Sequence, residues 1–312
     1  MKNKQFISKS WYLLKNTTLE FIDDNAIKLS AALAYYTIFA LPPLLIIIIT
    51  ICGFFFGEEA VTGQLYGQIN GLVGADAAIQ IQEAIRNVKL SDSNLFVNIF
   101  GVAMLIIGAS GVFAEIQSSI NFIWGLSAKP NKGLKKFLQN RLMSFSMIVS
   151  LGFLMLVSLM VNTTLDLVSS KLKYYFEEGT VYLFYGINFI IVFFTITLLF
   201  AVIFRALPDG IIKWRDAFVG ASCTAVLFMI GKFLISFYLG SSTIGTIYGA
   251  AGSVTIILVW VYYSAIILYF GAEFTKVYAK MFGGSIEPNE YSVAIKKEIY
   301  EVIEPENEKL KT

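Results

Sequence analysis

The chain has 312 residues, of which 56% are hydrophobic and only 15% charged, and its mean hydropathy is +0.69. A soluble domain of this size carries about 25% charged residues to keep its surface wet, so a water-soluble globule is excluded. Histidine is absent, which removes the commonest general base and the commonest metal ligand together.

Residues 5–29 predict an amphipathic helix on the cytoplasmic membrane surface. Phe6, Trp11, Leu14, Phe21 and Ile22 recur at near-helical spacing among Lys9, Lys15, Glu20 and Lys28. No removable signal peptide is predicted, because Met1 to Gln5 leads into a mixed polar segment instead of a short apolar run. A first membrane span is predicted over 29–56, with Pro42 and Pro43 in its middle. Two adjacent prolines remove two backbone donors, so this span is expected to bend or break. Residues 58–92 are more polar, with apolar positions three and four apart, and predict short amphipathic helices on the outer face. Further spans are predicted over 94–114 (with helix continuing towards Trp124), 142–165, 180–204, 217–239 and 250–274. The fold class is therefore all-α, a polytopic bundle of about six spans. It divides into a cytoplasmic amphipathic segment (1–28), a transmembrane domain (29–282) and a charged cytoplasmic tail (283–312) expected to be a short helix or disordered.

Lys and Arg set the expected orientation. The N-terminal segment carries five, the 125–141 loop five with no acid, the 205–216 loop three and the C-terminal segment six. The alternate connections carry four, and Lys232 lies within a span. That asymmetry predicts both termini in the cytoplasm and an even number of spans. Cys52 and Cys223 both lie in apolar segments and are expected to be small buried hydrophobes.

Several strings resemble the YihY/BrkB family of bacterial inner-membrane proteins. They are Ala31-Ala-Leu-Ala-Tyr-Tyr-Thr-Ile-Phe-Ala-Leu-Pro-Pro-Leu-Leu45, Ile123-Trp-Gly125 and Trp214-Arg-Asp-Ala-Phe-Val-Gly220. Tyr248-Gly-Ala-Ala-Gly252 and Leu268-Tyr-Phe-Gly-Ala-Glu-Phe-Thr275 follow in the same order. The similarity covers roughly residues 10–280. Ala40 departs from it, standing where the family often has a serine. The resemblance implies a bacterial inner-membrane location and suggests roles in lipid or envelope transport, ion exchange or serum resistance. The family's old label as a ribonuclease finds no support in these residues, which offer neither histidine nor a cluster of carboxylates in a soluble segment.

Ionisable groups inside a bilayer each cost about 2.5–3.5 kcal/mol on insertion scales and call for a reason. Glu115, Glu273 and Arg205 all fall near the cytoplasmic ends of their spans. They predict either a polar cluster lining an inward-facing cavity or three helix ends reaching the headgroups. Lys232 lies in the outer half of its span, at a depth shared by Asn162, Asp166 and Asn188. It either snorkels outward or lines a cavity for an anionic group such as a lipid phosphate, with Asp166 its natural partner. Tyr35, Tyr36 and Thr37 precede the double proline and could supply hydroxyls to a broken-helix site, although a kink without a ligand fits as well. Gly245, Gly249 and Ser253, spaced four apart, permit close helix packing.

These features favour a transporter or flippase-like protein for a lipid or envelope constituent. The alternatives are a non-transporting membrane scaffold and a proton- or sodium-coupled exchanger. No enzyme is expected, since no nucleophile–base pair or metal set can be assembled, and no cofactor. No phosphate-binding G-x-x-x-x-G-K-[ST] run is present. Membrane lipids are the expected partners, with a homo-oligomer or an envelope protein left open and nucleic acid excluded.

Overall fold

In the computed structural model, the residues described are 2–56, 95–129, 179–241 and 252–296, with 62–63, 66–67, 79, 142 and 146. The long helices are α1 (Lys2–Asp23), α2 (Ala26–Phe56), α3 (Leu95–Ile123), α4 (Gly179–Ala206), α5 (Trp214–Ser241) and α6 (Gly252–Tyr278). A π-helical turn, Ala279–Gly283, extends α6. Among the described residues, three of these are long and apolar enough to cross a membrane, over Phe189–Ala206, Trp214–Ile235 and Val254–Gly283. Of the predicted third span, only residues 142 and 146 fall among the described residues, both helical. Most of the predicted 58–92 helices lie outside them.

α1 turns one stripe inward. Leu13, Thr17, Phe21 and Asp24 are buried at helical spacing, and Leu13 packs with Phe274 and Val277 of α6. Phe21 meets Phe270 with ring centroids 5.7 Å apart. The opposite stripe exposes Trp11, Leu14 and Ile22. The chain reverses at Asn25, whose φ of 51° is a left-handed conformation that asparagine tolerates better than most residues. Its carbonyl then accepts from the amides of Lys28 and Leu29, opening α2. The boundary therefore falls at Asn25 and not at 28–29.

The two prolines do not divide α2. It is assigned as one helix from Ala26 to Phe56. The donors missing at Pro42 and Pro43 leave carbonyls unmatched within a helix that long apolar flanks continue to propagate. The expected break is absent.

α2 packs on α3 and α6, α4 on α5, and α5 on α6. The α5–α6 crossing is built from paired notches. A Cβ at Gly220 would collide with the Thr275 hydroxyl, and a Cβ at Gly271 with the Thr224 hydroxyl. Each threonine donates to the carbonyl four residues back, Thr224 to Gly220 at 2.8 Å and Thr275 to Gly271 at 2.7 Å. The hydroxyls are thus satisfied on their own helices while the side chains fill the notch opposite. Ala217, Ala221 and Ala225 lie fully buried along α5. Such small residues let helix backbones approach closely in a bilayer, where packing replaces the hydrophobic drive.

The segment after α6 is neither helical nor unpaired over the described residues. β1 (Leu126–Ala128) pairs antiparallel with β4 (Ser292–Ala294), placing Ser127 opposite Val293. β2 (Gly210–Ile211) pairs with β3 (Glu287–Pro288). Residues 284–296 therefore strap the exits of α3 and α4 together, in place of the helix or disorder expected there. Gly125 permits the α3 exit, since its φ of 69° suits glycine, and its carbonyl accepts from Ile295 at 2.7 Å.

Gly220→Ala is expected to destabilise the bundle by about 1–3 kcal/mol, the usual range for overpacking. Adding Thr275→Ala should restore part of that loss. Thermal unfolding in detergent checks both; equal melting of Gly220→Ala and wild type would contradict the notch packing.

Candidate functional site

The densest polar site joins α1, α3 and α6. Lys276, near the end of α6, is only 7% exposed. Its Nζ lies 2.7 Å from Glu20 Oε2, 2.8 Å from Glu273 Oε2 and 3.1 Å from Asp24 Oδ2. It also donates to the Ile123 carbonyl at 2.8 Å. Glu20 comes from α1, Asp24 from the α1–α2 turn, and Ile123 from the last turn of α3. Lys280 stands 3.6 Å from Glu20 at the exposed edge. Trp124 adds a further tie, donating its indole N–H to the Ala272 carbonyl at 3.1 Å.

One turn inward on the same face of α6, Tyr269 is fully buried. Its hydroxyl lies beside Ser119 and Glu115 of α3. Ser119 donates to Glu115 Oε1 at 3.2 Å. A seam of polar side chains therefore runs between α3 and α6, away from the Lys276 junction.

A second node centres on Asp209, which follows Pro208 at the exit of α4 and is buried. Its carboxylate accepts from Gln117 at 3.3 Å and Asn121 at 2.9 Å. Its backbone N–H donates to Asn121 Oδ1 at 2.8 Å. The Asp209 carbonyl accepts from Ser292 Oγ at 2.7 Å and the Asn289 amide at 3.0 Å. One residue thus links α3, the α4–α5 connection and the β strap.

The three residues predicted to cluster are distributed over separate environments. Glu273 belongs to the Lys276 junction, Glu115 to the Ser119–Tyr269 seam, and Arg205 to neither. The Arg205 guanidinium carbon lies 5.9 Å from the centroid of the Trp214 ring, within cation–π range, and its Nε is buried without a hydrogen bond. No ion pair joins Arg205 to Glu115 or Glu273. Lys232 is exposed on α5. Asn162 and Asp166 lie outside the described residues, and Asn188 lies in α4. Tyr35 and Tyr36 are exposed on α2; Tyr35 packs against Phe39 at 5.0 Å, and Thr37 donates to the Leu33 carbonyl. Gly252 and Ser253 open α6, while Gly245 and Gly249 lie outside the described residues. Cys223 is a free thiol packed beside the Leu13 cluster.

Lys276, Asp24, Asp209, Ser119 and Tyr269 were not apparent from sequence. The Glu273-x-x-Lys276 spacing was the one local signal, since residues three apart on a helix face each other.

Removing the cation from this junction takes away the ammonium that Glu20, Asp24 and Glu273 share. Lys276→Met is expected to cost about 3–5 kcal/mol, as breaking a buried ion pair does, whereas Lys280→Met should change stability little because its ammonium is solvated. Unfolding of the two purified variants in detergent checks the contrast.

Comparison with known proteins gives the chain its family. The sequence model for Virulence factor BrkB matches residues 17–294. A UPF0761 membrane protein of Saccharophagus degradans is 26% identical over 278 residues, covering 89% of this chain and 62% of the relative. Another, from Psychromonas ingrahamii, is 27% identical over 258 residues, covering 81% of this chain and 83% of the relative. One from Xanthomonas axonopodis pv. citri is 27% identical over 263 residues, covering 81% and 58%. The chain thus spans about six-tenths of the length of several relatives it matches. No solved structure matches. With its apolar helices and a match over most of its length, the chain is an integral membrane protein and belongs to the Virulence factor BrkB family.

Proposed function

We propose that the protein is a transporter or flippase-like protein for a lipid or another envelope constituent. In this reading it resides in the bacterial inner membrane as six spans with both termini in the cytoplasm. The observation that carries the proposal is the polar seam between α3 and α6. Ser119, Tyr269 and Glu273 are buried, and Glu115 half-buried, on helices rich in apolar residues. Ionisable side chains within a membrane bundle face its interior or a water-filled path because lipid does not solvate them, and they mark substrate or ion pathways. A scaffold gains nothing from Glu115, which lies off both the Lys276 and Asp209 nodes. The protein carries no catalytic centre of its own in this proposal, and any substrate is moved unchanged.

Orientation follows the Lys and Arg asymmetry, so the Lys276 junction and the β strap both face the cytoplasm. α1 then lies at the inner headgroup level, with Trp11, Leu14 and Ile22 turned towards lipid and Lys9 and Lys15 exposed beside them.

The test is a fluorescent-lipid flip assay on the purified protein in liposomes, beside Glu115→Gln and Lys232→Ala. Flipping faster than in empty liposomes, and slowed at least about tenfold in Glu115→Gln, is expected; that loss corresponds to roughly 1.4 kcal/mol of transition-state stabilisation. Retained flipping in Glu115→Gln with loss in Lys232→Ala would move the pathway to the exposed face of α5. No acceleration by wild type would overturn lipid movement and return the scaffold and the ion exchanger.

A further inference from the structure

The Lys276 junction holds more acceptors than it has donors. An ammonium offers three N–H groups, and four acceptors lie within 3.1 Å of this one: Glu20, Asp24, Glu273 and the Ile123 carbonyl. Hydrogen bonds of good geometry run to Asp24 and to Ile123. One N–H remains for two carboxylates. Glu20 is the closer and is 33% exposed, so water can complete its shell. Glu273 is 0% exposed and meets Nζ at 2.8 Å as an ion pair, and among the described residues neither of its oxygens has a hydrogen bond of good geometry.

The charges lead to the same place. Around Glu273 stand Glu20 from α1, Asp24 from the α1–α2 turn, Lys276 on its own helix and Lys280 on the π-helical turn. α3 contributes the Ile123 carbonyl and, one turn inward, Ser119 and Glu115. From α2, Lys28 is turned to solvent, and from α5, Asp216 packs against Gly283 beyond the junction. Among the described residues, with Glu273 ionised, three carboxylates face two ammonium groups. With Glu273 as the neutral acid, two face two and the junction is balanced. A fully buried carboxylate that shares one ammonium with two other carboxylates is the member of the three that burial penalises most when charged.

We propose that Glu273 is a proton-binding site, holding a carboxylic-acid proton at neutral pH that exchanges with the α1 side of the bundle. The exchange route is a ladder of increasing exposure. Side-chain exposure rises from 0% at Glu273 to 11% at Asp24 and 33% at Glu20. In the first step the O–H bond on Glu273 breaks and one forms on Asp24, and the Glu273 carboxylate takes the N–H that Asp24 releases. The net charge of the junction is unchanged by that step. The proton then leaves through Glu20 to water, when the junction gains one negative charge. The site does not depend on what the protein moves across the membrane, if it moves anything.

Infrared difference spectroscopy on the full chain in lipid nanodiscs tests this directly, with wild type and Glu273→Gln compared at pH 7 in H2O and D2O. Wild type is expected to show a protonated-carboxyl carbonyl band that shifts in D2O and is missing from Glu273→Gln, with the two proteins melting alike. Spectra that superimpose in that region would overturn the proposal, as would a Glu273→Gln protein that folds but melts far below wild type, because an ionised glutamate would then be needed. Should Glu273→Gln fail to fold, the readout moves to Glu115→Gln protein labelled with carboxyl-13C glutamate. An isotope-shifted protonated-carboxyl band at pH 7, lost as the pH is raised, supports the site, and its absence overturns it.

Discussion

Everything at the basic end of this bundle is organised around one buried ammonium group. Charges taken out of water are stable only when hydrogen bonds replace hydration, so Lys276 dictates where its acceptors must stand. Glu20 and Asp24 arrive from the N-terminal helix and its turn, and the Ile123 carbonyl from the last turn of α3. Carbonyls at a helix C-terminus have no partner within the helix, and a cation there also meets the negative end of the helix dipole. Lys276 therefore caps α3 and docks α1 in the same act. With the inner stripe of α1 fixed on α6, its other stripe, with Trp11, Leu14 and Ile22, has no course but to face outward. The amphipathic pattern seen in the sequence is thus two apolar faces with different partners, one the bundle and one its surroundings.

Asp209 makes a second clamp at the same end. Through Asn121 and Gln117 it holds α3, and through its own carbonyl it holds Ser292 and Asn289 of the strap. The strap in turn pairs with both β1 and β2. Away from this end, the bundle is held by dispersion instead. Phe200, Phe228 and Trp260 form an edge-to-face series with centroids 5.9 and 6.4 Å apart, each contact worth about 0.5–1.5 kcal/mol beyond its buried area. Separating helices at the polar end would leave buried charges unpaired, a far larger penalty than sliding aromatic faces past each other. The physical chemistry makes the basic end the fixed one.

The apolar spans were legible because they are long. A run of eighteen or more apolar residues carries its meaning regardless of what packs against it, and α4 and α6 begin and end within a few residues of the positions the sequence implies. The junctions were not legible, for the same reason in each case. Lys276 counts as one of six bases near the C-terminus until α1, more than 250 positions away, brings Glu20 to it. Asp209 reads as a loop acid beside a proline until Asn121 and Ser292 converge on it. Gly220 and Gly271 are each followed four residues later by threonine, a spacing seen at many helix contacts, but their reciprocal fit exists only when both helices are in place. At Pro42 and Pro43 the helix runs on without a break, since a local rule about missing donors does not weigh the apolar helix on either side. Among the candidate site residues, Glu273 lies buried in the Lys276 junction and Glu115 half-buried beside Ser119, not in one cluster with Arg205. Arg205 was given the wrong neighbours because depth along a helix says nothing about the direction a side chain faces.

Direction is what the polar seam supplies. On α6, Tyr269, Glu273 and Lys276 recur at four and three residues; on α3, Glu115 and Ser119 recur at four, with the Ile123 carbonyl one turn on. These are the spacings of a single helix face. Two apolar helices that each set their polar groups on one face, and turn those faces to each other, keep ionisable side chains away from lipid and hold them in a common line. The line is buried at Ser119, Tyr269 and Glu273, half-buried at Glu115, and exposure rises again through Asp24 and Glu20.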